Sequence, residues 1–234
     1  MIINTEKIFV VHYTKLTERK KALDEQLSKY GLEAEYITDW DKEKITETAR
    51  NKYYFPNEEE HIKKVSPLWD VKKHSFRTIN DAEISCTIKH IEAIGRVARE
   101  CDHHGLIIED DAIFCSNFVE AFNKNLAQTP DDWDAIFFGV GCGMWYHDHR
   151  VSSAKRINDS VILAGHPATN CAEAYLFKKE SAQKVYDTSI PFQLVSDWEI
   201  AAQLHIHNMK VYWWDPPLTT QGSKTGQYKS TLDQ

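Results

Sequence analysis

The sequence lacks the long apolar runs and the basic excess that define several large classes of protein. No stretch approaches the roughly 18 apolar residues needed to span a bilayer, and the opening Met1-Ile2-Ile3-Asn4 is not a signal peptide. Lys and Arg total 28 against 35 Asp and Glu, a formal net charge of −7. This balance argues against a nucleic-acid partner. We expect a cytoplasmic chain without a transmembrane segment, compatible with peripheral membrane association.

The cysteines and glycines do not have the spacing of the metal-binding, disulfide or nucleotide-binding motifs that contain these residues. The five cysteines include no CxxC pair, which favours reduced core thiols over a disulfide framework or a zinc site. His147 and His149 have ligand-like spacing, but no third partner can be assigned from the sequence. The glycines from Gly139 to Gly143 lack GxGxxG spacing, so we exclude a dinucleotide-binding motif.

Apolar residues are present in the amount and the pattern of one folded domain. The chain has 234 residues, of which 42% are hydrophobic, enough for a sizeable core. Apolar runs at 7–11 and 34–37 flank a helical pattern over 17–30, and this order predicts an α/β fold with a mostly parallel sheet. We expect a single domain over residues 1–221 and a flexible tail over 222–234, where apolar residues are scarce.

The longest helical pattern follows Asn80. Ile84, Ile88 and Ile91 recur at helical spacing, and Glu83 stands three residues after Asn80, the spacing of a capping box. This helix leads into the apolar run 106–108, which predicts a buried strand. A second capping pattern, Asn117 with Glu120, predicts the start of another helix.

Three adjacent carboxylates end the predicted strand at 106–108. Strand alternation would put Glu109 and Asp111 on one side and Asp110 on the other. Two such carboxylates about 4 Å apart repel by roughly 4 kcal/mol at an effective dielectric near 20. A bound Mn²⁺ or Mg²⁺, which prefers oxygen ligands, would turn that repulsion into attraction. The alternative is an acidic turn that caps the following helix.

Four stretches of the chain, in order, resemble segments of glycosyltransferase family 25, which includes lipooligosaccharide and collagen galactosyltransferases. The first stretch contains Ala-Glu-Ile-Ser-Cys and ends at a His, and the second is a predicted strand that ends in Glu-Asp-Asp. The third contains Ala-Tyr-Leu before a predicted helix, and the fourth contains Pro-Pro-Leu followed by a Gln. They span 81–90, 106–114, 172–182 and 216–221.

The resemblance implies a GT-A-like, Rossmann-like fold and a metal-dependent, inverting transfer of a sugar. The donor would be a UDP-sugar carrying galactose or another hexose. The acceptor would be a hydroxyl of a glycan or of a glycosylated protein, as in lipopolysaccharide biosynthesis. Two alternatives stay open. One is a carbohydrate-binding or degenerate transferase-like module without catalysis, and the other is a metal-dependent phosphotransferase.

The same resemblance assigns roles to the acidic triplet and to a later Asp. Asp111 would ligate the metal with Glu109 nearby, and Glu109 and Asp110 would also face the ribose and sugar of the donor. Asp197 would be the base that takes the acceptor proton, with Glu199 as the second candidate. Ser196 or Asp197 could instead cap a helix.

The remaining candidates concern the substrates. His90 stands at the family's His position and would contact the donor, although it could equally be a core histidine. Gln221 would bond phosphate or metal-bound water, or only loop backbone. Tyr13 and Thr14 would contact the nucleotide base, or simply pack. Trp145, beside the glycine-rich turn, is the candidate acceptor platform.

Overall fold

The computed structural model describes residues 2–145, 147–151 and 153–229. The predicted α/β fold is confirmed. Within these residues a central sheet carries strands in the order β2-β1-β3-β8-β5-β9-β7-β6, and a two-stranded sheet pairs β10 with β4. Six of the eight central strands run in one direction, and only β7 and β8 oppose them. The strands are β1 (Ile8–Val11), β2 (Glu35–Ile37), β3 (His104–Glu109), β4 (Ala112–Phe114), β5 (Ala135–Phe137), β6 (Lys155–Arg156), β7 (Val161–Leu163), β8 (Ala174–Lys178), β9 (Val211–Trp214) and β10 (Thr219–Gln221).

The helices cover both faces of the central sheet. The described residues form α1 (Thr17–Lys29), α2 (Glu47–Tyr53), α3 (Glu58–Val65), α4 (Asp81–Glu100), α5 (Phe118–Gln128), α6 (Lys179–Ser189), α7 (Ser196–Ile206) and α8 (Gly222–Thr225), with a 3₁₀ turn at Lys42–Lys44. No helix in the described part of the chain has the length and apolar character to cross a membrane.

The sheet is apolar on both faces because alternate strand residues enter two separate cores. In β1, Phe9 and Val11 pack into the cluster that also holds residues of α4, α6 and α7. Ile8 and Val10 pack into the opposite cluster, with residues of α1 and α5. A strand buried on both sides needs this continuous run of apolar residues.

The helix ends can be compared with the caps that the sequence predicts. Asn80 and Glu83 form the predicted capping box, with reciprocal side-chain to backbone hydrogen bonds. Gly31 ends α1 with a left-handed φ of 65°, a conformation that costs glycine little. The cap predicted at Asn117 is wrong in its detail, because α5 begins there without a side-chain cap bond.

The segment after β10 contributes a short helix rather than only an extended tail. Gly222 is buried, and its amide donates to the carbonyl of Asp111 at 2.8 Å. Arg19 donates to the carbonyl of Lys229 at 2.6 Å. Residues 230–234 of the predicted flexible tail lie outside the described residues, and the domain boundary at 221 stays a prediction.

Candidate active site

A cavity of about 330 Å³ opens at the carboxyl ends of β1 and β3. In open α/β sheets, this edge is where ligands bind. The start of β8 and the first turns of α4 and α7 complete the walls. The lining combines four carboxylates with five basic side chains: Glu109, Asp110, Asp111 and Asp197 with His12, Arg19, Lys42, Lys89 and Lys224.

All three carboxylates of the acidic triplet line this one cavity. The sequence predicted that Asp110 would point away from Glu109 and Asp111, and that prediction is wrong. Strand β3 ends at Glu109, and the next two residues form a turn before β4. The two-residue period of a strand therefore no longer applies to Asp110 and Asp111.

Asp110 is held by protein groups on both of its oxygens. Oδ2 lies 2.7 Å from His12 Nδ1, and Oδ1 accepts from Arg19 Nη1 at 3.1 Å. The Asp110 residue is only 7% exposed. The carboxylate thereby joins β1, α1 and the acidic turn, while its expected contact with the donor stays a prediction.

Asp111 is a buried carboxylate whose ionisation is costly. Burial and the nearby charge of Glu109 raise the pKa of Asp111 to about 6. Hydrogen bonding from Ser223 lowers this pKa but does not offset the rise. The amide of Ser223 donates to Asp111 Oδ2 at 3.0 Å, and Arg19 Nη1 is 3.8 Å from the same oxygen. A cation at this carboxylate would remove the electrostatic cost of its ionisation.

Glu109 connects the cavity to a buried hydrogen-bond chain. Its Oε1 lies 3.1 Å from His90 Nε2, and its Oε2 accepts from Gln221 Nε2 at 2.8 Å. His90 Nδ1 lies 2.8 Å from the Tyr175 hydroxyl, and His90 is fully buried. His90 does not line the cavity, so the structure shows the core histidine of the alternative rather than the predicted direct contact with the donor. His90 orients Glu109 from behind the cavity wall.

Asp197 faces the cavity from the first turn of α7. Its residue is half-buried, and burial together with the charge of Glu109 raises the pKa of its carboxyl group. The N-cap of α7 is Val195, so neither of the capping residues that the sequence suggested occupies that position. Asp197 Oδ1 does accept from the amide of Trp198 at 3.0 Å.

Glu199, the second candidate base, does not line the cavity. It is 1% exposed. Its Oε1 accepts from Lys64 Nζ at 2.5 Å and from Gln203 Nε2 at 2.8 Å. The structure corrects this assignment, because the carboxylate is fully engaged in a buried ion pair.

Of the remaining candidates, two lie at the cavity and two do not. Tyr13 and Gln221 are part of its lining. Thr14 is bonded through its hydroxyl to Asp41 and does not contribute to the lining. Trp145 is 42% exposed. It lines a separate small pocket together with Trp213. The structure therefore does not bring Trp145 together with the acidic residues.

Sequence reasoning missed three buried charged residues that shape the site. Arg19 pairs with Asp110, and Lys89 donates to Asp41 at 2.5 Å and to the carbonyl of His12 at 2.6 Å. Glu173 Oε1 accepts from the amides of Val140 and Gly141 at 2.5 and 2.6 Å. The only sequence signal for Lys89 and Glu173 was a charge in an otherwise apolar segment.

Glu173 is held without an obvious neutralising partner. It is fully buried, and burial, with the charge of Glu109 nearby, raises its pKa to about 8. Its Oε2 has no hydrogen-bond partner in the described residues. We infer that Glu173 is protonated at neutral pH.

The donor set at the acidic turn fits a hard divalent cation. Asp111 and Glu109 offer carboxylate oxygens at the cavity wall. Gln221 adds an amide oxygen, Oε1, that is buried and has no hydrogen-bond partner among the described residues. Oxygen ligands of this kind suit Mg²⁺ and Mn²⁺.

Comparison with known proteins identifies a family, and distant structural likenesses are also found. A family model described as glycosyltransferase family 25 (LPS biosynthesis protein) matches residues 5–200. A solved structure that is similar is the inositol-1-phosphate CTP transferase from T. maritima, with 13% sequence identity and a TM-score of 0.47. That alignment covers 99% of this chain and 95% of the other. No curated protein matches the chain.

Proposed function

Because the chain belongs to glycosyltransferase family 25, we propose that it moves a hexose from a UDP-sugar to a glycan hydroxyl with inversion. Galactose is the proposed sugar, and a glycan of the lipopolysaccharide type is the proposed acceptor. The observation that carries the proposal is the convergence of Glu109, Asp111 and Asp197 on one cavity. One part of such a site must bind the diphosphate of the donor, and another must accept the proton of the acceptor hydroxyl.

The acidic turn is the proposed diphosphate end of the cavity. A Mn²⁺ or Mg²⁺ ion bound by Asp111 and Glu109, with Gln221 Oε1 as a further donor, would stabilise the negative charge that develops on the departing diphosphate. Lys224 lines the same cavity and supplies a second positive charge for the phosphates. Tyr13 follows β1 and lines the cavity, and it is the proposed contact of the nucleoside.

The proposed base is Asp197. It takes the proton from the acceptor hydroxyl as the oxygen attacks the anomeric carbon, and direct attack inverts the configuration there. The raised pKa of its carboxyl group makes it a stronger base than an ordinary aspartate, which brings it closer to the pH at which it works. The correction at Glu199 leaves Asp197 as the candidate that faces the cavity.

Buried polar contacts hold these groups in place before any substrate binds. His90 and Gln221 hold Glu109 from two sides. Arg19 and His12 hold Asp110 from two sides, which ties the acidic turn to α1 and to the end of β1. Preorganisation of this kind avoids the reorganisation cost during the reaction.

A binding screen with a turnover assay tests the proposal. Nucleotide sugars are added to the protein with and without Mn²⁺, and the shift in melting temperature is measured. We expect stabilisation by UDP-sugars that depends on Mn²⁺, and slow release of UDP that accelerates with the correct acceptor. Asp111→Asn should lose the Mn²⁺-dependent shift, while the exposed Asp187→Asn should keep it.

The same screen separates the alternatives. Tight sugar binding without metal and without UDP release would favour a non-catalytic carbohydrate-binding module. An equal response to all nucleotides in the absence of metal would contradict the proposed donor site. Phosphate release from the donor with no sugar transfer would favour a phosphotransferase.

A further inference from the structure

A second group of ligand-type atoms lies beside the acidic turn. The sulfurs of Cys142 and Cys171 and a carboxylate oxygen of Asp197 all lie within 4.8 Å of one another. Cys171 and Asp197 also line the cavity. This group has two sulfurs and one oxygen, whereas the cation site proposed above uses oxygen alone.

Two separate segments bring the cysteines together. Cys142 lies in the turn that follows β5, and Cys171 precedes β8 with a left-handed φ of 67°. The Cys142 thiol donates to Cys171 Sγ at 2.9 Å. A non-glycine residue in the left-handed region is uncommon and is a reason to look for a function.

Two buried oxygens around the same place have no hydrogen-bond partner in the described parts of the chain. They are Glu173 Oε2 and Gln221 Oε1. A Cβ added to Gly141 would lie 2.8 Å from Gln221 Oε1 and 3.0 Å from Cys171 Sγ. The Gly141 amide itself donates to Glu173 Oε1. Buried oxygens without a partner are costly, and these two make the surroundings of the sulfur and carboxylate cluster polar.

We propose that Cys142, Cys171 and Asp197 form a binding site for a thiophilic divalent cation such as Zn²⁺. Zinc takes sulfur and carboxylate ligands together, and three protein ligands leave a fourth position for water or substrate. Because Cys171 and Asp197 line the cavity, a ligand in that position would come from the cavity. Binding replaces the two thiol protons by two sulfur–metal bonds and releases both protons to solvent, and no oxidant is required.

Occupation of this site would take Asp197 away from its role as base. This consequence rests on the proposed function, whereas the binding site itself does not. We therefore expect Zn²⁺ to inhibit transfer even when Mn²⁺ saturates the oxygen-ligated site.

Cobalt titration tests the site directly. Co²⁺ is added to the full chain under anaerobic, reducing conditions, and the near-ultraviolet absorption of thiolate-to-cobalt charge transfer is recorded. We expect saturation at one equivalent and displacement by Zn²⁺ but not by Mg²⁺. Cys142→Ser should abolish the band, and Asp197→Asn should weaken Co²⁺ binding by at least ~10-fold. Cys115→Ser, at a half-buried cysteine outside the cavity lining, should leave it unchanged.

Three results would overturn the proposal. One is no charge-transfer band with the folded wild-type chain, as judged by circular dichroism. Another is a band that survives Cys142→Ser. The third is a reduced sample whose mass stays two hydrogens short, since the pair would then be a disulfide. Zinc binding without inhibition would support the site and contradict only the role of Asp197.

Discussion

Asp197 and Glu199 lie two residues apart on α7, yet their carboxylates occupy different environments. Asp197 faces the cavity, and Glu199 is buried against Lys64 on another side of the helix. Residues two apart on a helix do not face each other. The helix therefore separates a candidate catalytic carboxylate from a structural one, and the two should respond differently to substitution.

Asp197→Asn should lower kcat by about 10²–10⁴ because the amide cannot accept the acceptor proton. The dissociation constant for the donor, measured by calorimetry in the presence of Mn²⁺, should stay nearly unchanged. Asp187→Asn, at an exposed position of α6, is the matched control and should keep full activity. An Asp197→Asn enzyme with the wild-type kcat would contradict the assignment.

The rate should depend on pH through the carboxyl group of Asp197. Its pKa is raised above the ordinary value of 3.8 by burial and by Glu109. Because the base must be deprotonated, kcat/KM should fall as the pH decreases, and the decline should begin at a higher pH than for an exposed aspartate. A profile that stays flat down to the ordinary aspartate range would count against this base.

Lys64→Met should destabilise the fold without changing kcat per folded molecule. The substitution removes the ammonium group that pairs with Glu199, whose side chain is only 1% exposed. Removal of one partner from a buried ion pair costs about 3–5 kcal/mol of stability. Urea unfolding measures the loss. The exposed Lys63, with a side chain that is 57% accessible, is the control, and Lys63→Met should stay within about 0.5 kcal/mol. A Lys64→Met variant as stable as the wild type would show that the pair contributes little.

Asp111→Asn should stabilise the metal-free protein at pH 8 while removing its response to Mn²⁺. The folded state raises the pKa of Asp111 from 3.8 to about 6, so it holds the proton more tightly than the unfolded chain. The free energy of unfolding therefore falls as pH rises through this window. The amide avoids that cost, and we expect a gain of up to about 3 kcal/mol at pH 8, since each pKa unit corresponds to about 1.4 kcal/mol.

The comparison at low pH serves as the control for this variant. Below pH 3.8 the Asp111 carboxyl is protonated in both states, so the advantage of Asp111→Asn should disappear in chemical denaturation. An advantage that is the same at all pH values would mean that charge is not its cause.

Gly139→Ala should destabilise the turn after β5. A Cβ at this position would lie 2.2 Å from Glu173 Cδ, so a buried side chain must move, and overpacking costs about 1–3 kcal/mol. Glu173→Ala removes the obstacle, and the double variant should lose less stability than the sum of the single variants. Strict additivity would show that this contact is not the cause.

The sequence by itself determined the family and the helices and strands with clear apolar periodicity. The apolar run at Ile8–Val11 and the helical pattern from Asp81 to Glu100 depend on neighbours a few residues apart, so local periodicity reveals them. The family resemblance is confirmed by the match over residues 5–200. The strand β10 had no such pattern and was not predicted.

The tertiary structure alone decided how charges are paired. Arg19 meets Asp110 across 91 residues, and Gln221 meets Glu109 across 112. The antiparallel pairing of β10 with β4 places Gln221 opposite Ala112, beside the acidic turn. The sequence also could not predict that Asp197 and Glu199 have different environments, because both are acidic residues at the start of one helix. Such contacts depend on sheet order and on side-chain direction, which short-range periodicity does not encode.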